Sequence, residues 1–208
     1  MRKLSLILIG LGAVIIVGVL LIVPINTDKN SGATTNQTVA TAQNNKKQAN
    51  GKSIVIYMTH TGNTESVAKT IQKQVGADIY HLQTKEKYPT SYQKMLKVAR
   101  SEQKQNARPQ LAGKLPNLKG YHYIFLGYPI WLDKNPMAIN TFLSHYPSFK
   151  GKIILPFTTS GSSGLGSSLP ELKQHAKQAS FRSGLAITDD QLSHTKQLVK
   201  SWLAKNHF

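Results

Sequence analysis

The chain has 208 residues, a formal net charge of +17 and no cysteine. The missing thiols exclude disulfides, cysteine-ligated zinc or iron–sulfur centres and thiol-based redox catalysis, so any electron chemistry here requires a bound cofactor. Five bases and one acid precede residue 52, which leaves 21 against 8 and a charge of +13 on the remainder, a length suited to one domain.

The amino end reads as a membrane segment. Met1-Arg-Lys is a positive n-region, and Leu4–Val23 is a run of 20 residues without a charge. At ~1.5 Å per residue it is long enough to cross a ~30 Å hydrocarbon layer. A cleavable signal peptide has a shorter apolar run and a small-x-small exit, which Ile22-Val23-Pro24-Ile25-Asn26 does not offer. Residues 1–25 are therefore expected to be a single-pass signal anchor, with secretion after signal cleavage as the alternative. Arg2 and Lys3 place the amino end in the cytoplasm and the rest outside, against the opposing charge of Lys29, Lys46 and Lys47. Residues 26–51, rich in Asn, Thr, Gln, Ser and Ala without an apolar period, are expected to be a polar linker.

From residue 52 to 208 strand and helix signals alternate. Ser53–Met58 is a β-branched apolar run, followed by a glycine turn and by Val67, Ala68, Ile71 and Val75 at helical spacing. Asp78–Gln83 fits a second strand, Tyr92–Ala107 a polar helix with Met95, Leu96 and Ala99 on one side, and His122–Gly127 a third strand. Asn135-Pro136 supplies a cap and a first-position proline for a helix turning Ile139, Phe142 and Leu143 inward. Lys152–Phe157 is a fourth strand and Ser180–Ile187 a weaker fifth. Ser168-Leu-Pro-Glu171 and Thr188-Asp-Asp-Gln191 fit the capping box and are expected to start the last two helices. The closing helix carries Leu192, Leu198, Val199, Trp202 and Leu203 on one stripe. Five strands alternating with helices imply an α/β fold, a parallel sheet covered on both faces with ligand loops beyond the carboxyl ends of its strands.

Three such loops carry the chemistry. Thr59, His60, Thr61, Gly62, Asn63 and Thr64 join the first strand to the first helix. Gly62 permits a tight turn, the helix start contributes N–H groups and partial positive charge, and three threonine hydroxyls can donate, so the loop suits a phosphate. An ordinary capped turn is the alternative for this hexapeptide alone. Neither the nucleoside-triphosphate Gly-Lys-[Ser/Thr] nor the Gly-x-Gly-x-x-Gly dinucleotide turn is present. After the third strand, Tyr128, Pro129, Ile130, Trp131, Leu132 and Asp133 offer an aromatic in a proline-fixed loop, either a wall for a planar ring or a core anchor. After the fourth, Thr158, Thr159, Ser160, Gly161, Ser162, Ser163 and Gly164 open a small, polar stretch able to follow a polar ligand edge. Gly-x-Ser-x-Gly is absent, which leaves a serine hydrolase without its nucleophile turn.

These three motifs in this order make Ser53–Phe208 similar to a flavodoxin, particularly the short-chain flavodoxin-like proteins of bacteria. Thr59–Thr64 resembles the family's Thr-x-Thr-Gly-x-Thr phosphate loop, Gly127-Tyr-Pro-Ile-Trp131 with Pro136-Met137 its second flavin loop, and Phe157–Gly164 its third. The resemblance implies a doubly wound three-layer sandwich with five parallel strands in the order 2-1-3-4-5, binding FMN noncovalently. It implies that Thr59–Thr64 hold the FMN phosphate, that Pro129–Trp131 flank the isoalloxazine, and that Thr158–Gly164 meet its polar edge and ribityl side. Tyr88-Pro89, Tyr92 and Asn106-Ala-Arg-Pro109 also resemble this subgroup, with no chemical role attached. Where relatives often read Trp-Trp-Gly, this chain reads Trp131-Leu132-Asp133.

The expected function is membrane-tethered electron transfer at the extracytoplasmic face, between a redox partner protein or small electron acceptor and FMN. An FMN-dependent reductase of quinones or similar acceptors is the alternative, and an FMN-free binding module ranks last because the phosphate loop is intact. Lys69, Lys73, Lys94, Lys97, Lys104, Lys173, Lys177, Lys196, Lys200 and Lys205 sit on expected helices with few acids to pair. They read as a solvated basic face or as attraction to anionic lipid, wall polymer or an acidic partner. No nucleic-acid recognition motif and no metal cluster is visible. His60, alone in its loop, either approaches the phosphate or is solvated.

Overall fold

The computed structural model describes residues 51–208. The expected membrane anchor, and the linker up to residue 50, lie outside the described residues. Among the described residues no helix is long and apolar enough to cross a membrane.

Strand β1 (Lys52–Tyr57) leads through the first loop into α1 (Asn63–Val75), β2 (Asp78–His81) and α2 (Tyr92–Gln105). Next come β3 (Tyr121–Pro129), α3 (Met137–His145), β4 (Ile153–Ser160) and α4 (Ser168–His175). The chain ends with β5 (Ser180–Phe181), β6 (Leu185–Thr188), a 3₁₀ turn (Asp189–His194) and α5 (Thr195–Lys205). All ladders are parallel and the order is β2-β1-β3-β4-β5, with β6 also on β4. The doubly wound order implied by the resemblance is the one observed.

Strand periodicity explains the three layers. Ile54 and Ile56 point to one face of the sheet, into a core with Met95, Leu126, Ile139, Phe142, Phe149 and Leu172. Val55 and Tyr57, one residue out of phase, point to the other and meet Val67, Ile71, Phe125, Phe157, Val199 and Trp202. The apolar stripes of α1 and α5 cover this second face, and α2, α3 and α4 cover the first.

Four local expectations are corrected. The single fifth strand is two short pieces, because Pro156 faces it without an N–H. Ile154 of β4 accepts from Arg182 at 3.0 Å, and Pro156, of the same parity, has nothing to donate. The register accordingly moves three residues on β4, from Ile154 to Phe157, against four on its partner, from Phe181 to Leu185. Ser168 does not cap α4: it is fully buried, its hydroxyl donating to Leu165 O at 2.6 Å and lying 3.0 Å from Tyr128 Oη. Asn135 does not cap α3; its Nδ2 donates to Asn140 Oδ1 at 2.8 Å. The capping box at Thr188 forms, with Thr188 N–H on Gln191 Oε1 at 3.2 Å, but it opens the 3₁₀ turn rather than α5 directly.

Candidate functional site

The carboxyl ends of β1, β3 and β4 bring the three loops together. In the first, Gly62 adopts φ 93°, a left-handed value that favours glycine, and stands as the residue before α1. Its N–H donates to Thr59 Oγ1 at 3.0 Å, closing the turn. The first intrahelical bond is Ser66 N–H to Gly62 O at 3.0 Å, so the N–H groups of Asn63, Thr64 and Glu65 precede it without an intrahelical acceptor. Thr61 is exposed and its hydroxyl makes no bond to the described residues. Thr64 is buried, its hydroxyl 2.8 Å from that of Thr159. The three threonines are therefore not equivalent donors: Thr59 holds the turn, Thr64 ties the loop to β4, and Thr61 alone points outward.

The second loop differs from the expectation in where it begins. β3 runs on through Pro129, and Tyr128 is a fully buried strand residue whose phenol, pushed up by burial, bonds Ser168 inside the protein. Trp131 is only 4% exposed and belongs to the first core, edge-on to Tyr88 at 4.8 Å and to His60 of the first loop at 5.9 Å. Trp131 and Lys134 exchange backbone hydrogen bonds of 2.8 and 3.1 Å. The two residues between them adopt φ 49° (Leu132) and φ 67° (Asp133), the geometry of a tight mirror-image turn. Leu132 thus holds a left-handed backbone without being glycine, at a steric penalty of about 1–2 kcal/mol. Bonds from outside the turn hold it: Gln103 Nε2 donates to Trp131 O at 2.9 Å, and the N–H and hydroxyl of Ser167 donate to Asp133 O at 2.8 and 2.9 Å. A Cβ on Gly166 would stand 2.5 Å from Asp133 O, so that position must stay bare for the two loops to meet.

β4 likewise extends to Ser160, and Thr158, Thr159 and Ser160 are buried strand residues rather than loop residues. Their hydroxyls organise the rim. Thr158 Oγ1 donates to Gly164 O at 2.8 Å, and Gly164 N–H donates to Ser160 Oγ at 3.0 Å. Ile130 N–H donates to Thr159 O at 2.9 Å, which joins the second loop to the third. Gly161, Ser162 and Ser163 form the exposed lip.

The structure therefore sorts the expected site residues into two groups. Thr61, Asp133, Gly161, Ser162 and Ser163 are exposed, and Thr59, His60, Gly62, Asn63, Pro129, Ile130, Leu132 and Gly164 are half-buried around them. Thr64, Tyr128, Trp131, Thr158, Thr159 and Ser160 are buried supports. Sequence reading missed Gln103 and Ser167, which hold the turn, and Asp189, whose Oδ1 accepts from Asn63 Nδ2 at 3.4 Å across the mouth. Only long-range packing assembles these partners, and no local motif announced them.

The model of the family described as Flavodoxin matches residues 52–206. The chain belongs to the flavodoxin family. A candidate flavoprotein from Bacteroides eggerthii is 31% identical, the match covering 75% of this chain and 98% of that one, with a TM-score of 0.63. Another from Bacteroides uniformis is 32% identical over 72% and 98%, with a TM-score of 0.62. A flavoprotein from Lactobacillus acidophilus, solved in complex with FMN, shares the flavodoxin fold at 16% identity over 69% and 97%, with a TM-score of 0.60. No curated protein matches the chain.

Proposed function

We propose that the chain is an FMN-binding flavodoxin-like redox protein, tethered to the cytoplasmic membrane by residues 1–25 and moving electrons at the extracytoplasmic face. Family membership supports FMN, and the observation that carries the reading is the Thr59–Thr64 loop. Left-handed Gly62, the open N–H groups of Asn63, Thr64 and Glu65 and the outward Thr61 hydroxyl form a set of neutral donors at a helix start. Such a set fits a phosphate monoester that stays bound rather than one transferred. FMN, when bound, supplies the one- and two-electron chemistry that the cysteine-free chain lacks. Pro129, Ile130, Leu132 and the indole of Trp131 would flank the ring, and Gly161–Gly164 would follow its polar edge.

Two variants separate the loop's roles. Thr61→Ala with Thr64→Ala removes the one outward hydroxyl from a charged acceptor, a hydrogen bond of ~1.5–3 kcal/mol, together with the buried tie that holds the loop to β4. FMN affinity should fall at least about tenfold in equilibrium titration of the FMN-free protein. Thr64→Ala should also lower the melting temperature, because Thr159 Oγ1 loses its buried partner, whereas Thr61→Ala alone should not. FMN affinity unchanged in the double variant would show that the loop is misassigned.

The tether is tested by fractionation. The full chain expressed in bacteria should sediment with membranes and resist salt extraction, while residues 52–208 alone should stay in the soluble fraction. A shortened chain in the medium would instead establish signal cleavage. The partner proposed for the basic surface is an acidic redox protein. Among the described residues the ion pairs are Lys52–Asp78 and Lys69–Glu65, so Lys94, Lys97 and Lys104 on α2 are left for an external anion.

A further inference from the structure

Tyr88-Pro89 and Asn106-Ala-Arg-Pro109 have no part in the reading above, yet the fold brings them to one place. Tyr88, Pro89, Arg108 and Pro109 line a cavity of about 560 Å³, closed on the α2 side by Val98 and Glu102. That volume lies within the range of small-molecule sites. Two prolines and a half-buried tyrosine give it stiff, flat walls.

Two of its polar side chains, the exposed Arg108 and the half-buried Glu102, are held by hydrogen bonds. α2 ends at Asn106, held left-handed at φ 48°. The guanidinium of Arg108 folds back onto this cap, Nη1 donating to Asn106 O at 2.9 Å, Asn106 Oδ1 at 2.7 Å and Ala107 O at 3.0 Å. One nitrogen is thereby fixed, while Nη2 and Nε make no hydrogen bond to the described residues. A guanidinium held through one nitrogen with its other edge unused can meet a carboxylate with two parallel bonds. Across the cavity, Glu102 accepts from Tyr88 Oη at 2.8 Å through Oε2, leaving Oε1 open. Burial pushes the Glu102 carboxyl up, against the Tyr88 hydrogen bond, which favours its charged form. Tyr88 is shared: the ring that faces this cavity also packs edge-on against Trp131 at 4.8 Å.

We propose that this cavity is a second ligand site, taking a small planar aromatic carboxylate whose charge pairs with Arg108 and whose ring lies against Tyr88 and Pro109. It does not depend on the FMN reading, since none of these residues belongs to the three flavin loops. Through Tyr88, an occupant would bear on the residue that positions the Trp131 indole.

The test uses 2-naphthoate as the probe, added to the isotope-labelled full chain in detergent and followed by amide NMR. Shifts confined to residues near Tyr88, Val98 and Arg108, saturating below about 1 mM, are expected. Uncharged 2-naphthamide should bind at least about tenfold more weakly. Arg108→Gln should raise the naphthoate Kd by the same factor. Because that change also removes cap bonds of α2, a second variant, Val98→Glu, adds an opposing charge at a wall position 36% exposed and should weaken naphthoate equally. FMN affinity should be unchanged in both, so failure of either proposal is read separately. No shifts at these residues, equal naphthoate affinity in parent and both variants, naphthamide binding as tight as naphthoate, or displacement of naphthoate by FMN would each overturn the assignment.

Discussion

Truncation of Trp131 to alanine is expected to lower the melting temperature of the FMN-free protein and, in the same variant, to weaken FMN and brighten its emission in any complex that remains. The first effect follows from burial. Only 4% of the residue is exposed, and its ring packs on Tyr88 and His60 at the top of the core. Removing a side chain of this size from a packed site costs ~3–5 kcal/mol. For a domain of this length that is a fall on the order of 10 °C. The backbone bonds from Lys134 and Gln103 use main-chain atoms of Trp131, so the turn keeps its anchors in the variant. The second effect belongs to the proposed ring wall: aromatic stacking adds ~0.5–1.5 kcal/mol beyond area burial. A lower melting temperature with unaltered flavin affinity and quenching would make Trp131 a core anchor alone.

Gly127→Ala should be the most damaging single-methyl change in the sheet. Gly127 lies on β3 directly opposite Phe157 of β4, and a Cβ there would stand 2.1, 2.2 and 2.7 Å from three atoms of the Phe157 ring. Phe157 is fully buried among Val67, Phe125 and Ile187, so it has nowhere to retreat. Overpacking of this kind costs ~1–3 kcal/mol, and the absence of slack on both strands places this case at the upper end. Calorimetry checks it. Adding Phe157→Leu should recover part of the loss, because the shorter side chain vacates the contested space. An alanine variant as stable as the parent would mean that the two strands are not in this register.

Much of the scaffold was legible because strand and helix periods are written locally. Ile54-Val55-Ile56-Tyr57 divides its side chains between two cores simply by alternation, and Val67, Ala68 and Ile71 mark the face of α1 that is buried. The loops were legible in kind but not in extent. Tyr128 and Thr158–Ser160 read as loop residues because glycine, proline and small polar residues surround them, yet parallel pairing between β3 and β4 continues through Pro129 and Thr159. Ser168 has every local feature of a helix cap, but Tyr128, 40 residues earlier, claims its hydroxyl in the core. The turn after Trp131 was hidden because its backbone is left-handed without a glycine. Gln103 and Ser167 hold that conformation, and sequence spacing says nothing of bonds across 28 and 34 residues.

The pairing of Tyr88 with Trp131 shows the same limit from the other side. The Tyr88-Pro89 and Asn106–Pro109 stretches stood out as motifs, but their role depends on a cavity formed by parts of the chain some 20 residues apart. Sequence could name the residues and not the space between them.

The proposed FMN site rests on the Thr59–Thr64 loop as the holder of the phosphate. Its most direct test is titration of the purified, FMN-free full chain with FMN and with riboflavin, which lacks the phosphate, read by flavin fluorescence. Saturable quenching by FMN at one site per chain is expected, with riboflavin binding weaker by at least about 3 kcal/mol, the loss of two or more hydrogen bonds to a charged group. Riboflavin binding as tightly as FMN, or no quenching of either, would contradict the assignment.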